Sequence, residues 1–157
     1  RLLMKDKNLN NHDNWATPKK FYEKLDEEFN FNFDPCPLNP LFDGLTIDWG
    51  TRNFVNPPYS RKLKDAFIKK AISESNKGRL SVCLIPVSTS TLLFHHWIFP
   101  NASEIRFIEG RLKFVGINTK GMLVNNKTGM HDSMLVIFNK SKKYSNKGSL
   151  IITKMVR

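Results

Sequence analysis

The tetrapeptide Asn56-Pro57-Pro58-Tyr59 combines two hydrogen-bond acceptors, a stiff turn and an aromatic ring. The Asn56 side-chain oxygen and the Pro57 backbone carbonyl can accept the two N–H groups of one amine. Such a pair suits an exocyclic amine on a planar base, because preorganised acceptors draw its delocalised nitrogen toward a nucleophilic geometry. The prolines restrict φ and stiffen the loop, and the Tyr59 ring offers a surface for an extruded base. The tetrapeptide therefore predicts a site for methylating a base amine.

Two predicted elements flank this loop. The short apolar run from Asn53 to Val55 indicates a strand, and the pattern from about Arg61 to Asn76 indicates a helix. In open α/β sheets, ligands bind at the carboxyl edge of the strands, so we expect the loop at a ligand-binding edge. The alternative is that Pro57-Pro58 only marks a turn.

A second segment is predicted to end at the same edge. Phe31 and Phe33 alternate with polar residues, which indicates a short strand ending at Asp34. A carboxylate at that edge can meet the amine or the hydroxyls of a cofactor beside the base site. The alternative is that Asp34 only shapes an Asp-Pro turn.

The segment Trp15-Ala16-Thr17-Pro18 precedes a predicted helix. Thr17 has the residue type of an N-cap and Pro18 that of a first helical residue. Phe21, Leu25 and Phe29 then recur at helical spacing and form one apolar face. The local pattern favours this capping interpretation over the alternative, in which the loop packs over the adenine of a cofactor.

Three further polar residues are candidates for the site. Asp48 lies in a turn-rich segment, where it can contact cofactor hydroxyls or shape a turn. Ser60 follows Tyr59. It is predicted to cap the helix that begins at about Arg61 and to contact the substrate. Arg111 interrupts an apolar stretch beside Glu109-Gly110. It is assigned to a substrate phosphate, with an ion pair to Glu104 or Glu109 as the alternative.

Other apolar runs predict the remaining strands. The run Leu80–Ile85 is typical of a buried parallel strand. The hydroxyl residues Ser88–Thr91 follow it and are expected to cap a short helix, with contact to the base or its phosphates as a weaker alternative. The other predicted strands are Glu104–Ile108, Arg111–Val115, Ser133–Phe138 and Leu150–Ile152.

Length and charge narrow the function classes. The 157 residues, 40% of them hydrophobic, suggest one domain. A net charge of +11 favours a polyanionic partner, most often nucleic acid, over a merely solubilising surface. Residues 1–13 are expected to form a flexible leader, and residues 14–157 a single catalytic domain with a basic C-terminal extension.

Cysteine and histidine usage carries no sign of a disulfide framework or a metal centre. Cys36 and Cys83 are far apart, and the four histidines have no metal-ligand spacing with them. We therefore expect a reduced compartment and no metal. No apolar run has the length of a membrane span, and no signal peptide is visible, so we expect no membrane partner.

The order of these motifs resembles a known family. WATP, a helix, FDP, DGLxxxW, NPPYS, a second helix, a strand ending in Ile-Pro and GRLKF follow one another between residues 14 and 138. This order is similar to that of the small phage-type DNA N6-adenine methyltransferases of the Dam group. NPPYS is the most specific of these motifs, and the others carry weight through their order.

The resemblance implies a fold, a reaction and a set of residues. The implied α/β fold is Rossmann-like, with a seven-stranded, mostly parallel central sheet, an antiparallel C-terminal hairpin and helices on both faces. The implied reaction transfers methyl from S-adenosylmethionine to N6 of a flipped adenine in double-stranded DNA, in the cytoplasm of a bacterial or phage-infected cell. Catalysis maps to Asn56–Tyr59, and cofactor binding maps to Trp15–Pro18 and to Asp34, Pro35 and Cys36.

One departure from the usual pattern keeps other functions open. Most methyltransferases carry a glycine-rich FxGxG loop after the first strand, whereas this chain has DPCPLNP. The chain also lacks a clear large target-recognition insertion, which leaves open a homodimer or a second subunit for recognition. The alternatives are methylation of RNA or of a protein glutamine, and a catalytically silent nucleic-acid-binding protein of the same fold.

Overall fold

The structure is a computed structural model that describes residues 15–38, 40–117, 123–125, 131–140 and 150–157. The predicted leader and residues 141–149 of the basic C-terminal extension lie outside these residues. The helices are α1 (Lys19–Phe29), α2 (Arg61–Asn76) and α3 (Phe99–Asn101), with a π-helical turn at Phe94–Ile98. The strands are β1 (Trp15–Ala16), β2 (Arg52–Val55), β3 (Leu80–Pro86), β4 (Glu104–Glu109), β5 (Val115–Ile117), β6 (Leu123–Asn125), β7 (Ser133–Phe138) and β8 (Ile151–Val156).

Within the described residues, the main sheet contains five strands in the order β2-β3-β7-β4-β8. The pairs β2–β3 and β4–β8 are parallel, whereas β7 is antiparallel to both of its neighbours. Four of the five strands therefore run in one direction, which confirms the predicted mostly parallel sheet. An isolated parallel bridge between Phe33 and Asn53 adds one more segment beside β2. The bridge brings the end of the Asp34 segment to the same edge as Asn56.

The antiparallel C-terminal hairpin was a wrong expectation for this sheet. The last strand, β8, pairs in parallel with β4, and β7 inserts between β3 and β4. The predicted strand Arg111–Val115 is also wrong, because Leu112 and Phe114 leave the sheet and bury their side chains in the core. The antiparallel hairpin in this region is β5–β6, which forms a separate three-stranded sheet with β1.

Alternate residues of the central strands face two different hydrophobic layers. Cys83 and Ile85 of β3 pack with residues of α2, such as Phe67 and Ile68. Val82 and Leu84 of the same strand pack with Phe21 and Leu25 of α1. Because side chains alternate across a strand, one helix covers each face. This confirms the expectation of helices on both faces.

The helix boundaries follow local sequence signals, but the side-chain caps predicted for α1 and α2 do not form. Helix α2 occupies the predicted range, and Gly78 follows its end with a φ of 83°, a conformation that glycine adopts without strain. Helix α1 begins at Lys19, with Pro18 in the N-cap position and no side-chain capping hydrogen bond. The prediction that Thr17 caps this helix is therefore wrong. Among the described residues, no helix is long and apolar enough to span a membrane.

A buried carboxylate holds the amino-terminal side of β3 to α2. The Glu74 side chain is fully buried, and its oxygens lie 2.7 Å from Lys70 Nζ and 2.5 Å from Arg79 Nη1. Burial opposes ionisation of Glu74, but the hydrogen bonds from these two cations outweigh it and lower the pKa of the carboxyl. This cluster lies at the opposite end of β3 from the Asn56 edge.

Candidate active site

A cavity of about 290 Å³ opens at the carboxyl edge of β2. Five predicted site residues line it together, although they come from three distant segments: Trp15, Thr17, Asp34, Cys36 and Asn56. Those segments meet there because β2 is bridged to Phe33 and because Asn56 bonds to the Trp15–Thr17 segment. The cavity thus joins Asn56, the first residue of the predicted catalytic loop, to four of the predicted cofactor residues. The other three residues of that loop, Pro57, Pro58 and Tyr59, do not line it.

The Asn56 amide is held in one orientation. Its Nδ2 donates to the Trp15 backbone carbonyl at 3.2 Å and to Thr17 Oγ1 at 3.1 Å. Because a carbonyl oxygen can only accept a hydrogen bond, the atom that faces Trp15 must be the nitrogen. The described residues offer no donor to Asn56 Oδ1 within hydrogen-bonding distance. This oxygen is therefore available as an acceptor at the cavity.

The segment that orients Asn56 is itself held by backbone pairing. Strand β1 pairs with β5, so that Trp15 lies opposite Gly116 and Ala16 opposite Val115. Thr17 follows directly and points its hydroxyl at Asn56 rather than at the start of α1. The second, smaller sheet therefore positions the residues that fix the amide.

Asp34 lies at the mouth of the cavity. Its Oδ1 accepts a hydrogen bond of 2.9 Å from the Cys36 backbone N–H, which closes the turn. The side chain is open to solvent on one side, but the protein around it removes enough water to raise the pKa of the carboxyl. This desolvation exceeds the opposing effect of the Cys36 hydrogen bond. The turn predicted as the alternative is present, together with a carboxylate beside the cavity.

Gly44 supports the loop that carries Asp34. A Cβ atom at position 44 would lie 1.8 Å from the Pro35 carbonyl oxygen, so no other residue allows this close backbone approach. The nearby Trp49 is buried, and its Nε1 donates to the Gly44 carbonyl at 2.7 Å. Trp49 thus has the packing role that its residue type favours.

Aromatic contacts hold the Tyr59 ring. It meets Phe114 edge-on at a centroid distance of 5.9 Å and His131 at 6.5 Å. Pro57 and Pro58 before it are buried, which supports the expected stiffness of the loop. The Tyr59 ring, at the end of the Asn56 loop, therefore packs against two other aromatic rings.

Several predicted residues lie outside the cavity lining. The Asp48 carboxylate is exposed and forms ion pairs with Lys77 at 3.0 Å and Arg79 at 3.6 Å. These cations lower its pKa, with the hydrogen bond from Lys77 as the largest cause. Pro18 and Pro35 flank the lining residues and are not part of it.

The three predicted substrate residues, Tyr59, Ser60 and Arg111, also lie outside this cavity. Ser60 occupies the N-cap position of α2, but its side chain makes no capping hydrogen bond. Arg111 pairs with Asp132 at 3.1 Å, not with Glu104 or Glu109 as the sequence alternative proposed.

Ala16 lies within the predicted Trp15–Pro18 segment, but sequence reasoning missed five other lining residues: Lys19, Tyr22, Pro37, Leu38 and Phe54. Tyr22 and Phe54 form an edge-on pair with centroids 5.1 Å apart. Phe54 is the residue of β2 that points to the α1 face, so strand alternation could have identified it. Nothing in the local sequence distinguishes Tyr22 from a core aromatic.

Neither cysteine has the surroundings of a nucleophile. Both are buried, and burial raises the pKa of the Cys83 thiol well above its usual range. Within the described part of the chain, no group of three or more His, Cys, Asp or Glu side chains could hold a metal ion.

Comparison with known proteins identifies the family. The family model of DNA N-6-adenine-methyltransferase (Dam) matches residues 5–156. The chain belongs to the Dam family. It is also 31% identical over 154 residues to the DNA N-6-adenine-methyltransferase of Haemophilus phage HP1 (strain HP1c1), covering 85% of this chain and 83% of that protein. No solved structure matches. Dam membership confirms the resemblance seen in the motif order, and with it the expected activity, DNA adenine-N6 methylation.

Proposed function

We propose that this chain transfers a methyl group from S-adenosylmethionine to N6 of an adenine flipped out of double-stranded DNA. The orientation of the Asn56 amide carries the proposal. Its Nδ2 donates hydrogen bonds to the Trp15 carbonyl and to Thr17 Oγ1, and its Oδ1 remains available at the cavity as a hydrogen-bond acceptor. A donor group on a substrate, such as the adenine N6 amine, matches an acceptor held in this way.

The residues around the cavity fit S-adenosylmethionine. The volume of about 290 Å³ is just below the usual size of a small-ligand site, about 300–1,000 Å³. Trp15, Tyr22 and Phe54 offer aromatic surface for the adenosine part, and Asp34 offers a carboxylate for an amine or hydroxyls. These side chains take the place of the glycine-rich loop. Cys36 forms part of the cavity wall, Pro18 stiffens the Trp15–Pro18 segment and Pro35 stiffens the Asp34–Cys36 turn. Asp48 is not among the proposed cofactor residues.

When bound, S-adenosylmethionine supplies an electrophilic methyl carbon: the N6 lone pair forms the new N–C bond as the C–S bond breaks, and the N6 proton passes to water. Asn56 Oδ1 and the Pro57 carbonyl accept the N6 hydrogens and orient the lone pair. Tyr59 stacks on the flipped base, and Pro58 keeps the loop stiff. Ser60 and Arg111 are proposed to contact the DNA near this base.

The topology supports the proposed Rossmann-like methyltransferase fold. The reversed strand β7 lies between β3 and β4 in an otherwise parallel sheet, and α1 and α2 cover opposite faces. The described main sheet has five strands and one bridge, compared with the seven strands that the resemblance implied. We propose that residues 14–157 form one catalytic domain around these two layers. An action on DNA also supports the predicted cytoplasmic location, while a homodimer or a second subunit stays a prediction.

Nucleoside mass spectrometry distinguishes this function from methylation of RNA. Purified protein is incubated with S-adenosylmethionine and either unmethylated plasmid DNA or total RNA, and Asn56→Ala is treated in parallel. We expect N6-methyladenine in the DNA with the wild type and, in the same reaction time, about 10²–10³-fold less with Asn56→Ala. Methyl transfer to RNA alone would overturn the DNA assignment, and cofactor binding without any transfer would support the silent binding protein.

A further inference from the structure

A second cavity lies on the α2 side of the same sheet edge. Its volume is about 390 Å³, and it is formed by the start of α2 and by residues 90–93, which follow β3. Both segments leave the carboxyl ends of the parallel neighbours β2 and β3. The second cavity and the Asn56 cavity have no lining residue in common, so this is a separate site beside the base loop.

The lining of the second cavity suits a single negative charge. Arg61 and Lys64 line it together with Asp65, which gives the three ionisable groups one net positive charge. Within the described residues, neither cation forms an ion pair with a carboxylate. A phosphodiester carries one negative charge and presents the oxygen acceptors that arginine and lysine bind.

Backbone and hydroxyl groups add to this preference. The first turn of α2 contains no acidic residue, so the peptide N–H groups and the dipole at the helix start favour an anion. On the opposite wall, Thr91 accepts a hydrogen bond from Phe94 N at 3.2 Å and donates to the Ser88 carbonyl at 2.9 Å. This cap confirms the expectation for the Ser88–Thr91 segment, and Ser90 and Thr91 both line the cavity.

We propose that the second cavity binds a backbone phosphodiester of the DNA strand that carries the target adenine. The proposal rests on the proposed function, because it needs DNA at the Asn56 loop. Arg61 is two residues from Tyr59, so their Cα atoms are at most about 7 Å apart. Phosphates of one strand advance by about 3.4 Å per nucleotide along the duplex. The bound phosphate therefore lies within about two nucleotides of the flipped adenine.

A matched pair of variants tests this site. Arg61→Gln/Lys64→Gln removes both cavity cations, whereas Lys20→Gln/Lys62→Gln removes two exposed cations that line neither cavity. Binding is followed by anisotropy of a labelled duplex that contains one adenine methylated by the wild type. One lost phosphate contact reduces the slope of log affinity against log salt by about 0.9. We expect this reduction, with about tenfold weaker binding, in the cavity variant and a clearly smaller change in the control.

Two further measurements locate the contact. A neutral methylphosphonate is placed at each position around the target adenine in turn. One position within about two nucleotides should weaken wild-type binding about tenfold, and the same substitution should have no further effect in Arg61→Gln/Lys64→Gln. Asp65→Asn removes the opposing charge without changing shape, so it should tighten DNA binding about threefold.

The outcomes separate this proposal from the proposed function. If the wild type methylates DNA but the cavity variant and the control have the same salt slope, the second cavity is not a phosphate site. The proposal would also be overturned if every methylphosphonate that weakens DNA binding by the wild type weakens binding by the cavity variant to the same extent. If the wild type neither binds nor methylates DNA, the proposed function fails first, and this inference fails with it.

Discussion

Replacing Thr17 by valine tests whether the Asn56 amide must be held for catalysis. The substitution keeps the side-chain shape but removes the hydroxyl that accepts one Nδ2 hydrogen at 3.1 Å. The Trp15 carbonyl still holds the other hydrogen at 3.2 Å, so the amide loses one of its two anchors. A hydrogen bond of this kind contributes about 0.5–1.5 kcal/mol. Since about 1.4 kcal/mol corresponds to tenfold in rate, we expect kcat to fall about two- to twelvefold.

The assay is steady-state methylation of a DNA duplex at saturating S-adenosylmethionine, which separates the rate from cofactor affinity. Thr17→Ser is the matched control, because it keeps the hydroxyl and should retain kcat within about twofold. Cofactor affinity, measured by calorimetry, should change less than kcat in Thr17→Val. If Thr17→Val has the wild-type kcat, or if valine and serine are equally impaired, the hydroxyl does not act through Asn56.

Two other predictions concern carboxylates. Asp34→Asn should weaken S-adenosylmethionine binding about tenfold by calorimetry. Because the pKa of Asp34 is raised, wild-type affinity should begin to fall at a higher pH than an ordinary aspartate would cause, and the variant should lack this dependence. Glu74→Gln should lower the free energy of unfolding by about 3 kcal/mol in urea titrations at neutral pH, since it removes the partner of Lys70 and Arg79. The folded-state pKa of Glu74 is lowered, so its contribution to stability is present above the unfolded-state pKa and is lost as the pH falls through the folded-state pKa. The difference in free energy of unfolding between the wild type and Glu74→Gln should therefore be smaller in acid than at neutral pH. An equal difference in acid and at neutral pH would contradict this role of Glu74.

The sequence alone could predict the elements around the Asn56 loop because their signals are local. The apolar run before Asn56 and the helical pattern after Ser60 each specify one element, and the structure has β2 and α2 in those places. The edge shared with Asp34 could be predicted as well, since parallel strands end together. The cavity therefore contains five of the thirteen residues assigned to the site, and they include residues from each of these segments.

Contacts between distant segments could not be predicted in this way. Thr17 has the residue type of a helix cap, and only the pairing of β1 with β5 turns it toward Asn56, 39 residues away. Glu104 and Glu109 precede Arg111 in the sequence, but Arg111 pairs with Asp132, which lies directly before β7. Likewise, nothing in the apolar run of β7 indicates that it inserts between β3 and β4. These features depend on tertiary packing rather than on local pattern.

The central claim is that the Asn56 amide acts in the methyl-transfer step. Its most direct test is the single-turnover rate of DNA methylation by the wild type and Asn56→Ala, with cofactor and DNA saturating. Removing one preorganised polar group of this kind lowers the rate by about 10²–10³-fold. We predict a loss of that size, with S-adenosylmethionine affinity within a few fold of the wild type. Equal single-turnover rates in the two proteins would contradict the account.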